Sequence, residues 1–339
     1  MRLLVTGGAG YIGAHTCLRL RERGDEVTVV DDLVTGSRAR LATEHVEQLD
    51  LASDEARSRL ASLMRARKIE AVIHFAARKQ VSESVQRPAW YHQQNVGGIV
   101  QLLLAMEDAG VERLVFSSSA AVYGAVDGAV DEATSTDPVN PYGQTKLVGE
   151  RLISDVAAAS GLRAASLRYF NVGGALRPEL GDTEILNLIP ITFDRLQRGL
   201  PPIIFGGDYP TPDGTCIRDY VHVADVADAH LAVLDTLPAE PGHVAYNVGT
   251  GQGTSVRSMV DRILTVAGSD LAPVVVERRA GDPASVVAAV DRIRRDTGWS
   301  ARHGLDDIIE SAWAAWRYAT AARDGAGPAS NTGVRGTRT

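Results

Sequence analysis

The sequence predicts an α/β fold in which helices cover both faces of a doubly wound parallel sheet. Strand-like runs alternate with helical patterns through the first half of the chain, and a glycine-rich loop separates the first run from the first helix. Polar residues follow the ends of several runs. This alternation is typical of parallel sheets with crossover helices. With 339 residues, 45% of them hydrophobic, the chain can bury a complete core.

The predicted strands of the first half are 3–6, 27–31, 46–49, 71–76, 114–118 and 165–170, and helical patterns cover 13–23 and 95–109. They predict a Rossmann-like domain over 1–170. The pattern over 171–319 is irregular and rich in Pro and Gly, which predicts a smaller, loop-rich α/β substrate-binding domain. Segments near 219–250 are expected to return to the first domain. Residues 320–339 lose the apolar period and predict a disordered tail.

Composition and charge argue against several functional classes. A net charge of −7 disfavours a nucleic-acid-binding surface. No apolar run approaches the ~20 residues that cross a bilayer, and the first residues enter a strand without a basic and apolar leader. We therefore expect a cytoplasmic protein that does not bind membranes. The histidines and the two cysteines have no metal-ligand spacing, so no metal site is expected.

The glycine-rich loop predicts a dinucleotide site. Gly7, Gly10 and Gly13 follow a strand and open a helix, with a spacing one residue longer than the common fingerprint. Such glycines allow a tight turn and a close approach to a pyrophosphate at the helix N-terminus. A glycine cluster alone is also compatible with a simple turn. Asp31 ends the second strand, where a carboxylate accepts from a ribose 2′-hydroxyl and repels a 2′-phosphate, so we expect NAD rather than NADP. The other residues of this predicted site are Tyr11, Ile12, Asp32 and Asp50.

A tyrosine and a lysine four residues apart predict a proton-transfer site. Tyr142 and Lys146 would share one helix face, with Asn140 as N-cap and Pro141 at the first helical position. Tyrosine titrates near ~10, so a base working near neutrality needs its pKa lowered by about 3 units. Lys146 and a positive nicotinamide would share that task. Ser119, at the end of the fifth strand, would hydrogen-bond the substrate hydroxyl.

These residues resemble the serine, tyrosine and lysine of the short-chain dehydrogenase/reductase superfamily. Its extended branch is similar in the glycine spacing and in four short motifs: His74-Phe75-Ala76-Ala77, Val122-Tyr123-Gly124, Asn140-Pro141-Tyr142-Gly143 and Arg168-Tyr169-Phe170-Asn171. The stretch 205–223 closely resembles the signature of the UDP-glucose (UDP-galactose) 4-epimerase family. The resemblance covers most of the chain. It implies oxidation of a sugar 4-hydroxyl, rotation of the 4-keto sugar and re-reduction on its other face, with NAD regenerated in each turnover.

The resemblance also implies residue roles. To the cofactor site it adds Leu51, Phe75, Ala76, Ala77, Lys79, Asn95, Ser117 and Tyr169, beside Tyr142 and Lys146. In the substrate site, Arg218 and Arg279 would bind the diphosphate. Asn187 and Leu188 would contact the diphosphate and uracil side, Asp282 the ribose and Asn171 the sugar. The remaining implied substrate contacts are Ile203, Ile204 and Phe205 at the uracil edge, and Lys79, Ser119, Tyr142 and Tyr220.

Two other hypotheses remain. One is a different enzyme class, a net dehydrogenase or a 4,6-dehydratase, which would consume NAD or release water. Dehydratases and decarboxylases of this branch carry an acidic residue just beyond the serine or threonine. Here Ala120 and Ala121 stand there, which disfavours elimination and decarboxylation. A non-catalytic dinucleotide sensor is the third hypothesis, but such a protein would not need the complete serine, tyrosine and lysine set.

Two departures from the family pattern concern the sugar. Val286 occupies a position where a tyrosine restricts some family members to unsubstituted hexoses and a smaller residue admits N-acetyl sugars. Arg78, next to Lys79, is expected near the sugar end, where it could pair with a C6 carboxylate. UDP-glucose and UDP-galactose are therefore the first expectation, with UDP-glucuronate and UDP-N-acetylglucosamine as alternatives. The resemblance further implies a homodimer formed through helices equivalent to 90–109 and 142–159.

Overall fold

A computed structural model describes residues 1–41, 45–279 and 281–325 of the chain. Within these ranges no helix is both long enough and apolar enough to cross a membrane. In chain order the strands are β1 (Arg2–Thr6), β2 (Glu26–Asp31), β3 (His45–Gln48), β4 (Ala71–His74), β5 (Arg113–Ser119), β6 (Gly128–Val130), β7 (Arg163–Tyr169), β8 (Asn171–Gly173), β9 (Ile203–Phe205), β10 (Ile217–His222), β11 (Gly242–Val248), β12 (Gly253–Ser255), β13 (Val274–Val276) and β14 (Ser285–Ala288).

The helices alternate with the strands through much of the chain. They are α1 (Tyr11–Glu22), α2 (Ala56–Arg67), α3 (Val81–Gln86), α4 (Pro88–Tyr91), α5 (Gly98–Ala109), α6 (Pro141–Ala159), α7 (Leu188–Gln197), α8 (Val223–Asp235), α9 (Val256–Ala267), α10 (Asp291–Thr297) and α11 (Leu305–Gly325). A π-helical segment, His92–Gly97, leads directly into α5.

The main sheet is parallel and runs β11-β7-β5-β4-β1-β2-β3 within the described residues. Alternate residues of each strand point to opposite faces. Leu3 packs with Leu20 of α1 on one face, whereas Leu4 packs with Leu102 of α5 on the other. The predicted doubly wound α/β sheet is therefore confirmed. The direction of winding reverses between β1 and β4, and a crevice at such a point is where ligands bind in these folds.

A second sheet begins at the carboxyl edge of the first. It runs β12-β10-β14-β6, and β8, which starts two residues after β7 ends, pairs with the last residues of β10. Strands β9 and β13 form a separate pair. Phe193 of α7, Ile263 of α9 and Trp316 of α11 share the core that supports this region. The strand β6 comes from the first half of the chain, so the second sheet combines residues from both halves.

Several element ends differ from the sequence prediction. Strand β4 ends at His74, because Phe75 donates one last hydrogen bond to Thr6 and the chain then turns into the crevice. The regular helix α5 starts at Gly98 rather than at residue 95. The predicted disordered tail was wrong for 320–325, which belong to α11. Alanines at 319, 321 and 322 favour continued helix there. The rest of that prediction, 326–339, lies outside the described residues.

Candidate active site

The loop between β1 and α1 is closed too tightly for side chains. Gly7 has a φ of +70°, and a Cβ there would lie 2.5 Å from the backbone nitrogen of Ala76. A Cβ on Gly13 would lie 2.2 Å from the carbonyl oxygen of Gly7. The loops that follow β1 and β4 are thus in backbone contact, and both line a cavity of about 550 Å³.

The N-terminus of α1 faces that cavity with its amide groups available. No described side chain caps the helix, and its first turn carries no acidic residue. Gly10, Tyr11, Ile12 and Gly13 all line the cavity. The first N–H groups of a helix lack intrahelical acceptors and attract an anion. The Tyr11 hydroxyl donates to the carbonyl of Gly174 over 2.6 Å, which links this helix start to the loop after β8.

Asp31 is fixed at the end of β2 by the neighbouring backbone. Its Oδ2 accepts from the amide of Ala9 at 3.0 Å, and its Oδ1 accepts from the amide of Leu33 at 2.8 Å. Burial raises the pKa of Asp31 above its ordinary value, while these hydrogen bonds act in the opposite direction. Asp32, Asp50 and Leu51 line the same end of the cavity. A carboxylate held in this position can accept from ribose hydroxyls.

The structure does not support the expected position of Arg78 at the sugar end. Its guanidinium pairs with Asp32 and donates to Oε1 of Gln94 over 2.9 Å. Asp32 follows β2, so Arg78 lies at the end of the cavity that carries Asp31. The expectation that Arg78 binds a sugar carboxylate was wrong, because the carboxylate of Asp32 already holds the guanidinium on the opposite side. The neighbouring Lys79 pairs instead with Glu184 at 2.7 Å.

Tyr142, Lys146 and Ser119 meet in the wall of the cavity. Helix α6 begins at Pro141, and the Asn140 side chain accepts from the amide of Gly143 at 2.9 Å, so the predicted N-cap is confirmed. The ammonium of Lys146 lies 6.0 Å from the centre of the Tyr142 ring. It donates to the carbonyl of Ser117 over 2.7 Å. These contacts fix the lysine below the tyrosine.

The ionisation of this group depends on burial. Burial raises the pKa of Tyr142 above its ordinary value, and the hydrogen bond with Ser119 acts in the opposite direction. Burial lowers the pKa of Lys146 to about 7, opposed by the negative charge of Glu150. The chain's own residues therefore do not lower the pKa of the tyrosine into the range of a base. A further positive charge next to the phenol would be needed.

A buried ion pair lies one helical turn beyond Lys146. Arg168 of β7 donates to both carboxylate oxygens of Glu150, with Nη2 2.6 Å from Oε2 and Nε 3.0 Å from Oε1. Ser118 also donates to Glu150, and Arg168 donates to the hydroxyl of Tyr123 over 3.0 Å. The sequence motif contained Arg168, but no spacing pointed to Glu150 as its partner. The pair joins α6 to the central strands.

Asn95 joins the loop after β4 to the helix α6. Its Oδ1 accepts from the amide of Arg78 at 2.7 Å, and its Nδ2 donates to the hydroxyl of Thr145 over 2.9 Å. Tyr169 donates to His230 over 2.5 Å and lies at the cavity wall. Of the other predicted cofactor residues, Phe75, Ala76, Ala77, Lys79 and Ser117 also line the cavity.

The cavity extends towards the second sheet. Its lining there includes the predicted substrate residues Asn171, Asn187, Leu188, Arg218, Tyr220 and Val286. Ile203, Ile204, Phe205, Arg279 and Asp282 are not part of the lining. Asp282 nevertheless pairs with Arg218 at 2.6 Å, and the guanidinium of Arg279 lies 4.0 Å from the centre of the Phe205 ring. Ile204 is completely buried.

Several cavity residues were missed by the sequence analysis. No spacing in the sequence distinguished them; examples are Arg40, Gln94, Asp182 and Glu184. Arg40 donates to the carbonyl of Gly181 over 3.2 Å and thereby connects two of these loops. Gly36 also lines the cavity, and a Cβ at this position would lie 2.6 Å from Oδ1 of Asp31.

Comparison with known proteins agrees with this geometry. A model of the NAD dependent epimerase/dehydratase family matches residues 3–249. The UDP-glucose 4-epimerase of Azospirillum brasilense is 43% identical over 318 residues, which cover 92% of this chain and 90% of that protein.

Two solved structures are similar over nearly the whole chain. The UDP-glucose 4-epimerase of Stenotrophomonas maltophila with bound NAD and formylated UDP-arabinopyranose is 41% identical, with a TM-score of 0.89 over 95% of this chain and 99% of that one. The Brucella ovis UDP-glucose 4-epimerase in complex with NAD is 39% identical, with a TM-score of 0.88 over 93% and 98%. The chain therefore belongs to the NAD-dependent epimerase/dehydratase family and, within it, to the UDP-glucose 4-epimerases.

Proposed function

We propose that this protein interconverts UDP-glucose and UDP-galactose by oxidation and re-reduction at C4, with NAD kept in the site between turnovers. The proposal rests on one observation. A single cavity is lined both by the glycine-rich loop between β1 and α1 and by the group of Ser119, Tyr142 and Lys146. The same cavity continues to Arg218 and Val286 on the second sheet. Cofactor, proton-transfer group and substrate end are thus contiguous.

The residues present fit NAD. A Cβ on Gly7 or Gly13 would collide with the backbone of the neighbouring loops, so the glycines allow the close turn before α1, whose open N-terminus suits a pyrophosphate. Asp31 would hold the adenosine ribose, and Lys146 and Tyr169 would lie at the nicotinamide end. When bound, NAD supplies the acceptor and donor of hydride and a positive charge at its nicotinamide.

The chain's own residues would handle the proton of the 4-hydroxyl. Ser119 and Tyr142 lie in the same wall of the cavity, so a substrate hydroxyl placed between them could pass its proton to the phenolate. Lys146 is held by Ser117 with its ammonium 6.0 Å from the centre of the Tyr142 ring, and in its protonated form it would add a positive charge that favours the phenolate. The proton would return by the same residues when the keto sugar is reduced.

Ala120 and Ala121 support epimerisation over elimination. Both line the cavity directly after Ser119. Methyl groups cannot remove or deliver a proton at a neighbouring carbon, as elimination requires. A dehydratase is therefore less well supported.

The far end of the cavity suits a diphosphate. The guanidinium of Arg218 is held by Asp282, and Arg279 lies against Phe205 at the edge of β9. Planar guanidinium groups bind diphosphate oxygens in pairs. We assign these residues to the UDP moiety, and Asn171 and Asn187 to the sugar and diphosphate contacts.

UDP-N-acetylglucosamine is a second candidate substrate because of Val286. This residue lines the cavity and packs beside Val122 and Tyr123, close to the group of Ser119. A valine leaves more room there than a tyrosine would. UDP-glucuronate has lost its support, because Arg78 is paired with Asp32 away from the sugar end.

A product analysis tests the proposal. Purified protein is incubated without added NAD with UDP-galactose, UDP-N-acetylglucosamine or UDP-glucuronate, and the sugars are separated by chromatography. UDP-galactose should give UDP-glucose. Val286→Tyr should lower kcat/KM for UDP-N-acetylglucosamine relative to UDP-galactose. The control is Val286→Ala, which makes the side chain smaller instead of larger. Absence of UDP-glucose in the first incubation would contradict the proposal.

A homodimer and a cytoplasmic location belong to the same proposal. The helices α3 and α6 pack against each other and expose Val81, Val85 and Val148 to solvent by 47%, 62% and 37%. A second copy packed on α6 would cover this apolar face. Light scattering should give a molecular mass twice that of one chain. Val148→Glu should lower the measured mass towards that of one chain.

A further inference from the structure

A charge arrangement at the adenosine end of the cavity has no role in the proposed reaction. The guanidinium of Arg78 pairs with Asp32 and donates to Gln94 over 2.9 Å. Gln94 in turn lies 3.5 Å from the carboxylate of Asp50. Because Asp32 and Asp50 follow β2 and β3, Arg78 lies where the adenosine half of a dinucleotide would bind.

The same guanidinium lies close to the proposed ribose acceptor. Asp31 precedes Asp32 in the chain, and its two oxygens are directed by the amides of Ala9 and Leu33. Arg78 is near enough to Asp31 to oppose the rise in pKa that burial causes. An arginine and two carboxylates therefore surround the region of the ribose 2′ position.

Arg78 is held in place independently of its partner Asp32. Its backbone amide donates to Asn95 over 2.7 Å, and its guanidinium lies 5.5 Å from the centre of the Trp90 ring. Its side chain is only 13% exposed. The buried Nε has no hydrogen-bond partner among the described residues, so the hydrogen bonds of the guanidinium are not all satisfied in its present position. Little ordering cost would oppose its binding of an anion.

The two charges have opposite consequences for the cofactor. An acid at the end of the second strand repels a 2′-phosphate, whereas a nearby arginine accommodates one. We propose that Asp32 is a specificity-determining residue, which withholds Arg78 from a 2′-phosphate by pairing with it. Selectivity for NAD over NADP then depends on the Asp32–Arg78 pair in addition to Asp31. The inference rests on the proposed use of NAD.

In a simpler account, the negative charge of Asp32 itself repels the 2′-phosphate of NADP. The two accounts differ in the role of Arg78. If the pair is responsible, neutralising Asp32 favours NADP only while Arg78 is present. If the charge of Asp32 alone is responsible, the gain persists without Arg78.

The test compares bound nucleotides in holoenzyme variants. Each purified protein is incubated with equal concentrations of NAD and NADP until the bound ratio is constant, then freed of unbound nucleotide, denatured and analysed by chromatography. The variants are Asp32→Asn, Arg78→Leu and the double change. The matched control combines Asp32→Asn with Arg87→Leu, because Arg87 lies 3.8 Å from the same Trp90 ring but does not line the cavity.

Asp32→Asn should raise the bound NADP to NAD ratio by about tenfold, the effect of one charge-assisted hydrogen bond. Adding Arg78→Leu should remove most of that gain, whereas adding Arg87→Leu should leave it. Arg78→Gln must reproduce Arg78→Leu, which excludes a packing effect. No gain in Asp32→Asn, or retention of half the gain or more without Arg78, overturns the inference. Release of neither nucleotide by the unaltered protein would overturn the proposed cofactor as well.

Discussion

Tyr142 is the residue on which the proposed chemistry depends most. Its ring lies above Lys146, and it lines the cavity together with Ser119. Burial raises its pKa, so the phenolate form needs positive charge at close range. Lys146 supplies such charge in its protonated form, although its own pKa is lowered to about 7 by burial.

Removal of the Tyr142 hydroxyl should abolish proton transfer while leaving the cavity in shape. Tyr142→Phe should reduce kcat by about 10²-fold or more, the usual contribution of a general acid or base. Tyr318→Phe is the matched control, because Tyr318 is 54% exposed on α11. Initial rates with UDP-galactose check both variants, and near-normal turnover of Tyr142→Phe would rule out the assigned base.

For single residues, the sequence predicted a place in the cavity correctly where the residue lies at the end of a strand. Asp31 and Ser119 end strands, and their sites in the cavity follow from the parallel sheet. Arg78 was placed wrongly because its direction depends on a partner 46 residues away, Asp32, that no local pattern reveals. Glu184 was missed for the same reason, since its partner Lys79 belongs to another loop.

Helix α6 is the element that joins the reacting residues to the sheet. Its cap and start were predictable from Asn140 and Pro141, because capping is local chemistry. The ion pair of Glu150 with Arg168 was not predictable as a pair, since it forms between α6 and β7. The π-helical segment before α5 was also missed, because no residue pattern in 92–97 distinguishes it from an α-helix.

Breaking this ion pair should destabilise the protein strongly. Both side chains are buried, 4% and 8% exposed, so Glu150→Gln would leave the charge of Arg168 uncompensated. Loss of one partner of a buried pair costs about 3–5 kcal/mol of unfolding free energy. Chemical denaturation measures the change, with the exposed Glu107→Gln as control. The double variant Glu150→Gln/Arg168→Met should be more stable than Glu150→Gln alone; equal stability would contradict this account.

The whole molecule contains several buried neutral histidines. Burial lowers the pKa of His74 to about 3 and those of His15, His222 and His230 to about 4. An unfolded histidine titrates near ~6.5. Between pH ~6.5 and about 4 the unfolded chain therefore binds protons that the folded chain does not, and stability falls as the pH falls.

Unfolding midpoints in urea should decrease steadily from pH 7 to pH 5. Each of these histidines contributes up to about 1.4 kcal/mol per pH unit within its window. His222→Asn should give a shallower dependence, because asparagine does not titrate. It can still accept from the amide of Ala224, as Nδ1 of His222 does at 2.9 Å, so the helix cap is kept. A variant with the same pH dependence as the unaltered protein would contradict the assignment.

The arrangement of the whole sheet was largely predictable, because alternating strands and crossover helices allow few topologies. The participation of β6 in the second sheet was not, since three residues in a loop-rich stretch carry no strand period. The combined cavity likewise depends on β8 and β10 pairing at the edge of the main sheet. That pairing brings the proposed proton-transfer group and the proposed diphosphate residue Arg218 to one cavity.

The fate of the hydrogen at C4 tests the central claim most directly. UDP-galactose carrying deuterium at C4 is incubated with the protein in ordinary water, and the UDP-glucose formed is examined by mass spectrometry and NMR. Oxidation and re-reduction at one carbon within one closed site predict that deuterium is retained at C4 of the product. Exchange of that deuterium for solvent hydrogen during epimerisation would contradict the account.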